Sequence, residues 1–328
     1  MNVKKILTIA IPTIDEEKGL NRLLKSIYEN LKNINEYEFL VSISIGINGG
    51  KNPIPYVKGI LKSLKRLEII KAINYNYRPL NINLASNLVY LHSTSEEGFI
   101  WFIGDDDIVL EGSINYIINE LKKITSKNYE SSNIPPIYLN WCSDEKIVSN
   151  YTKPLYKTVD QFCQYEHSIF FLSAMIVYKQ KNSYMHGIEH FSHLWIFLTQ
   201  ALRAKKVLLF SKPIVKYTAV CKYKKEWLDI MFYNLPNTLL SLKNLGLSQK
   251  SIKSITKTSL ENKTVIYTTL FLANKQTISE KFFSIAAVIK YNKFFTAKFK
   301  FLIINAILIS PFYKPLKWVK RTFFNRYL

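Results

Sequence analysis

The sequence is poor in cysteine, glycine and acids. Its three cysteines, Cys142, Cys163 and Cys221, are odd in number and far apart, and no C-x-x-C pair occurs. That excludes a disulfide framework and a cysteine zinc site, and it suits a reducing, cytoplasmic compartment. No uninterrupted apolar run approaches the ~20 residues that span a bilayer. The opening MNVKKILTIAIPTIDEE has two lysines and then an apolar run, but Pro12 and three acids follow without a small-residue cleavage site. A buried first strand is expected there rather than a signal peptide. The phosphate-cradling G-x-x-x-x-G-K-[ST] pattern is missing, and Gly49-Gly50-Lys51 lacks its spacing. There are no internal repeats and no long Gly/Ser linker. Acids number 24 against 45 lysines and arginines, a net charge of +21. Even after a discount for heavy use of Lys, Asn and Ile, that surplus calls for an anionic partner: nucleic acid, anionic lipid or a phosphorylated substrate.

What is present is ample material for a core. The chain has 328 residues, 48% of them hydrophobic, which suggests about two domains. Short apolar runs alternate with helical patterns through the first half. Ile6–Ile11 reads as a strand. Leu20, Leu23, Leu24, Ile27 and Leu31 then recur at helical spacing. Phe39–Ile47 reads as a second strand closed by the Asn48-Gly49-Gly50 turn. A helix over Val57–Leu67, a strand over Leu67–Ile73, a helix over Leu84–Leu91 and a strand over Phe99–Ile103 follow, and Ser113 would cap a helix running to Ile124. This β-α-β-α series predicts an α/β fold: a mostly parallel, Rossmann-like sheet with helices on both faces. Strands are expected over Ile137–Trp141, Ser173–Tyr178, Val207–Phe210 and Ile214–Val220, a helix over His190–Leu202, and helices beyond Trp227.

Ligands of such sheets bind beyond the carboxyl ends of the strands. Pro12-Thr13, the Asn48-Gly49-Gly50 turn and the acids of FIWFIGDDDIVLEGSI all fall at such ends. Adjacent ionised carboxylates repel one another unless solvated or neutralised by a cation. On an extended chain Asp105 and Asp107 would share one face and Asp106 the other. One pair could then share Mg²⁺ or Mn²⁺, whose remaining positions suit waters and substrate phosphates, while the third acid meets a sugar hydroxyl. That is a nucleotide-diphosphate site built without a P-loop. Asp15, Glu16 and Glu17 have a plainer reading: Thr13-x-x-Glu16 fits a capping box, and acids favour the first turn of a helix.

LTIAIPTIDEE with its amphipathic helix, IGINGGKN, FIWFIGDDDIVLEGSI and, later, FFLSAMIVYK together resemble the nucleotide-binding half of family 2 glycosyltransferases of GT-A fold. The variety most resembled is the bacterial abequosyltransferase-like polysaccharide enzymes. The resemblance covers roughly residues 4–220. It implies that Pro12, Thr13, Asp15 and Asn48 border the nucleotide, that Asp105 and Asp106 hold ribose and metal in a DXD-like motif, and that Asp107 shares or supports the metal. Which acid is the principal ligand stays open. Two departures bear on the base. The base-reading aspartate of the second strand is replaced by Ile47 or Gly46, and the Tyr-Asn after IPT by Ile14-Asp15.

The resemblance also implies a general base some 80–90 residues past the acids, which points at HGIEHFSHLW. Glu189 is the candidate, with His190 and Asp160 as alternatives. His186, His190 and His193 fall at i, i+4 and i+7; His193 could close the metal site or the acceptor pocket, and the plainer reading is a helix whose core is Trp195 and Leu198.

Residues 281–328 carry ten Lys or Arg and no acid, with aromatics interleaved as in KFFTAKFKF. Such a segment suits an anionic bilayer interface. No nucleic-acid module accompanies it, so nucleic acid is not the expected partner. The expected organisation is a GT-A nucleotide-sugar-binding and catalytic domain over 1–220 and a helical, basic, membrane-associating region over 221–328. The expected activity is inverting, metal-dependent transfer from a nucleotide sugar to a polyprenyl-lipid-linked saccharide, in O-antigen- or capsule-like synthesis on the inner face of the cell membrane. The rival is a non-catalytic basic protein of the same fold that binds membrane or nucleic acid.

Overall fold

A computed structural model of the chain describes residues 5–14, 17–35, 38–81, 83–127, 130, 133–143, 154–165, 171–181, 191–218, 230–259, 269, 273, 277–291 and 297–308. Contacts divide the chain into two compact units, 1–162 with 170–220, and 163–169 with 221–328.

The first unit is built on one sheet of order β3-β2-β1-β4-β8-β6-β9-β5, with β7 also paired to β9. Its strands are β1 (Lys5–Thr13), β2 (Phe39–Asn48), β3 (Ile70–Arg78), β4 (Gly98–Phe102), β5 (Ile108–Val109), β6 (Ile137–Cys142), β7 (Leu155–Lys157), β8 (Met175–Lys179) and β9 (Val207–Lys216). β3, β2, β1 and β4 run parallel, and β6 is parallel to β9. β8 runs antiparallel to both of its neighbours. This is the expected mostly parallel α/β architecture.

β1 and β4 are buried on both faces, which is why they read as near-continuous apolar runs; β2 is buried to the same extent although Ser42, Ser44 and Gly46 alternate with its apolar residues. The helices are α1 (Glu17–Leu31), α2 (Ile54–Leu64), α3 (Asn83–Thr94), α4 (Ser113–Thr125), α5 (Val159–Tyr165) and α6 (Ser192–Ala204). α1 packs on α2 and α4, whereas α3 packs on β1, β2 and α6. Right-handed crossovers from β1 to β2 and from β3 back to β4 put these two groups on opposite faces. The predicted stripe of Leu20, Leu23, Leu24, Ile27 and Leu31 is the buried face of α1. Burying each such side chain contributes about 1.5–3 kcal/mol. In α6, Trp195 and Leu198 are core residues, as expected.

Several boundaries differ from the sequence reading. β3 begins at Ile70, because Leu67–Ile70 is a turn closed by the Ile70 N–H on the Leu67 carbonyl at 3.0 Å. β3 is an edge strand, so it accepts the polar KAINYNYR run that apolar counting passes over. α2 starts three residues early, since proline is tolerated in a first helical turn. The two expected strands over 207–220 are one, β9, which runs through Pro213 where its register with β6 shifts. Ser113 does not cap α4: the cap position is Gly112, at φ 69°, and Ser113 is the first helical residue.

The described second unit is helical: a π-turn (Ile230–Asn234), α7 (Leu235–Asn244), α8 (Gln249–Ser259), α9 (Ile278–Lys290) and α10 (Ala297–Leu308). α9 packs against the π-turn and α10. Among the described residues, no helix is long and apolar enough to cross a membrane. Cys142 is half-buried and Cys163 is buried, and Cys221 lies outside the described residues.

Candidate active site

β1 pairs with β2 as far as Thr13–Ile47, but with β4 only to Ala10–Phe102. One further bond, from the Ile103 N–H to the Ala10 carbonyl at 3.0 Å, ends that pairing. The chain steps from β1 to β2 on one side and returns from β3 to β4 on the other, so the strand order reverses between β1 and β4 and their carboxyl edge is a topological switch point, where such sheets bind ligands. The three aspartates sit there.

They form a tight turn rather than an extended segment. The Asp107 N–H donates to the Gly104 carbonyl at 3.2 Å. Asp105 and Asp107 are 3% and 2% exposed, and Asp106 is half-buried between them. A Cβ on Gly104 would lie 3.0 Å from Asp106 Oδ1 and 3.3 Å from Asp107 Oδ2, so glycine lets both carboxylates close over the turn.

Each acid is held by a different element. The Thr13 hydroxyl, at the end of β1, donates to Asp105 Oδ2. The Ser173 hydroxyl donates to Asp107 Oδ2 and accepts the Gly104 N–H at 2.8 Å. Ser173 is itself fixed: it lies in a 3₁₀ turn (Leu172–Ala174), and its carbonyl accepts the indole N–H of buried Trp101 at 2.8 Å. The Asp106 carbonyl accepts from Arg22 Nη2 at 2.7 Å and from the Thr218 hydroxyl at 2.5 Å.

Burial pushes the Asp107 carboxyl up to about 7. Asp106 and Asp105 add to that rise, against the pull of the Ser173 hydroxyl and the Thr218 backbone. Asp107 Oδ1 is buried and accepts no hydrogen bond. A buried carboxylate oxygen left without a donor costs free energy until something positive meets it.

One face of α1 holds the segment after the acids. Arg22 takes the Asp106 carbonyl, the Ser26 hydroxyl oxygen accepts the Val109 N–H at 3.1 Å, and Asn30 Oδ1 accepts the Ser113 and Ile114 N–H groups at 2.9 and 3.3 Å. Residues spaced by four lie one above another on a helix. Asn30 thereby caps α4 from 83 residues upstream.

The far end of this edge is formed by β2 and β3. Gly49 and Gly50, at φ 76° and 66°, supply the left-handed turn after Asn48. The Asn48 amide donates to Asn81 Oδ1 at 2.9 Å and to the Asn83 carbonyl at 3.0 Å, tying β2 to the start of α3. Ile47 is fully buried. Beside Asn48 in register stands Arg78, whose guanidinium carbon lies 3.9 Å from the Tyr90 ring centroid. Its Nη1 and Nη2 are buried and donate no hydrogen bond, leaving two donors for an acceptor atom.

Of the residues singled out from sequence, Pro12, Thr13, Asn48, Asp105, Asp106 and Asp107 lie along this one edge. Asp15, Glu16, His186, Glu189 and His190 lie outside the described residues. Asp160 is in the first turn of α5. Among the described residues no three His, Cys, Asp or Glu side chains are grouped to hold a metal. Asp106, Asp107 and His193 therefore do not form the expected three-ligand set: His193 is buried in the first turn of α6, its ring 6.2 Å from that of Phe191. Sequence reasoning missed Arg22, Arg78, Ser173 and Thr218. Only FFLSAMIVYK, quoted for its resemblance, contained one of them.

No protein-family model matches the chain, and no curated protein matches it in sequence. Solved structures do match it in shape. S. aureus TarS residues 1–349 align over 95% of this chain and 92% of theirs, with a TM-score of 0.61 and 12% identity. The same TarS fragment has been solved with UDP-GlcNAc. Against the longer TarS structure the chain spans about half, 53% of that chain. The mannosyltransferase PcManGT from Pyrobaculum calidifontis, solved with GDP-Man and Mn²⁺, aligns over 95% of this chain and 88% of its own, with a TM-score of 0.53 and 11% identity. The chain has the GT-A-like α/β fold of these proteins.

Proposed function

We propose that this chain transfers a sugar from a nucleotide-diphosphate sugar to a saccharide acceptor, with Asp106 and Asp107 holding Mg²⁺ or Mn²⁺. The observation that carries the reading is Asp107 Oδ1, buried at the switch point with no donor, beside a second carboxylate. Two protein carboxylates suit Mg²⁺ or Mn²⁺, which keep waters and take substrate phosphates for the rest of their shell. A divalent cation there would offset the charge of the departing diphosphate. Support at the level of fold comes from TarS with UDP-GlcNAc and from PcManGT with GDP-Man and Mn²⁺.

In this reading Thr13 and Asp105 act as one hydrogen-bonded unit against the ribose, and Pro12, Asn48 and Asp15 border the nucleotide. With Ile47 buried at the position of the base-reading aspartate, discrimination of the base falls to other groups at that edge. Glu189 or His190 would deprotonate the acceptor hydroxyl in a single, inverting displacement. The acceptor would be a polyprenyl-linked saccharide of a surface polysaccharide, met at the cytoplasmic face of the membrane.

The test is calorimetric titration of UDP, GDP, CDP and dTDP sugars, with Mn²⁺ and with chelator, on the wild type, Asp106→Ala and Asp107→Asn. Metal-dependent binding lost in both variants supports the reading and identifies the base. A folded protein that binds no donor overturns it and leaves the non-catalytic alternative.

A further inference from the structure

The outer faces of α9 and α10 break the pattern of the other helices. In α1 the exposed positions are Lys18, Arg22, Lys25 and Glu29, and in α4 they are Asn115, Asn119 and Lys123. In α9, Phe282 and Ile289 are 67% and 56% exposed, with exposed Ala286 between them at helical spacing. In α10, Phe301 and Leu308 are 69% and 57% exposed, with half-exposed Ile304 between. The opposite faces are apolar as well: Ala287 and Val288 in α9, and Phe299, Ile303 and Ile307 in α10, are buried. A helix apolar on both faces is not solvated on its outer side in ordinary globular surroundings.

The charge around these faces is almost all of one sign. Lys281 and Lys290 bracket the apolar stripe of α9, and Lys298 and Lys300 precede that of α10; the one acid in either helix is Glu280. α8 adds Lys250, Lys253 and Lys257, all exposed on one face, and no acid. A surface made for a second protein copy of this basic chain would meet like charge. Anionic headgroups meet opposite charge, and the acyl region takes the phenylalanines while lysine stems reach back to water. α10 has 12 residues, a length of about 18 Å against a hydrocarbon core of about 30 Å. It is too short to cross and suited to lie in the interface plane.

We infer that the outer faces of α9 and α10 form a docking surface for an anionic lipid bilayer, with Phe282, Ile289, Phe301 and Leu308 as the inserted side chains and the flanking lysines as the electrostatic contacts. The inference is independent of whether a nucleotide sugar binds the first unit.

The test uses the full chain and co-flotation with vesicles of phosphatidylcholine containing phosphatidylglycerol, against phosphatidylcholine alone. The expected result is flotation with the anionic vesicles only, weakened by salt. The pair Phe282→Ser with Ile289→Ser, and separately Phe301→Ser with Leu308→Ser, should each lower partitioning by about tenfold or more. Lys298→Glu with Lys300→Glu should lower it without touching the apolar stripe. In a Phe301→Trp variant, lipids brominated along the acyl chain should quench fluorescence that they leave unchanged in the absence of binding. Circular dichroism checks that each variant is folded, and the Trp variant reads insertion even where a serine pair fails to fold. No flotation with anionic vesicles, unchanged flotation of folded serine variants, or a dimer that the serine pairs dissociate in the absence of vesicle binding would each overturn the inference. Donor titration on the same proteins separates failure of the docking surface from failure of the sugar-transfer reading.

Discussion

The Thr13 hydroxyl donates a hydrogen bond to the Asp105 carboxylate, joining the carboxyl ends of two neighbouring parallel strands across 92 residues of sequence. Both residues are almost wholly buried. The bond fixes one acid before any ligand arrives, so it sets the orientation of that carboxylate rather than merely adding to stability. Thr13→Val keeps the shape and removes the donor. It should weaken donor binding by about tenfold and lower stability by about 1 kcal/mol, whereas Thr13→Ser should keep most of both. Titration calorimetry and thermal unfolding read the two effects separately.

Asp107 presents the opposite balance. Its charge is held in a buried place, so Asp107→Asn should leave unfolding free energy without metal undiminished. The same change should abolish stabilisation by Mn²⁺. In the wild type, Mn²⁺ at about 100 times its Kd should add about 2.7 kcal/mol. Thermal unfolding with Mn²⁺ and with chelator measures this. A wild-type shift that persists in the variant would place the metal elsewhere.

Asn30 caps α4 by two N–H contacts at 2.9 and 3.3 Å. Asn30→Ala should cost about 0.5–2 kcal/mol in unfolding free energy, while Lys25→Ala, exposed on the same helix, should be neutral within about 0.5 kcal/mol. Denaturant titration of both variants gives the comparison.

His92 supplies a pH dependence. It is 1% exposed in α3, neither ring nitrogen has a hydrogen-bond partner, and burial, with Lys179 adding, lowers its pKa from 6.5 to about 4. Below pH 6.5 the unfolded chain takes up a proton that the folded imidazole refuses until about pH 4. The contribution is therefore whole above pH 6.5 and is lost as pH falls through that window, by about 3 kcal/mol. Unfolding curves between pH 7 and 4 should show this slope, and His92→Gln should flatten it.

The acids and the strand that ends in them were legible because buried parallel strands are continuous apolar runs and a carboxyl edge is where polar residues resume. The α1 stripe was legible from its spacing. Ser113, by contrast, looked like a cap because Ser favours that position locally, and the donor's partner is Asn30 on another element. Arg78 was hidden by the edge strand it ends: β3 has exposed and polar residues along its length, so apolar counting stopped at Ile73 and left Arg78 in a loop. Thr218 carries no pattern of its own, and Ser173 was marked only by lying in FFLSAMIVYK. Their hydroxyls matter because antiparallel β8 and the end of β9 bring them to the acids, from 66 and 112 residues away.

The four-residue spacing of Arg22, Ser26 and Asn30 along α1 makes that helix a gauge of length. Deleting or inserting one residue between them would turn one part of the stripe by about 100° relative to the other. The acid turn, β5 and the start of α4 could then no longer all be gripped from the same side. Substitutions along α1 act one bond at a time, but a change in its length acts on all of them together. In homologous chains that keep these acids, the interval between the residues matching Arg22 and Asn30 should hold constant even where the residues themselves vary.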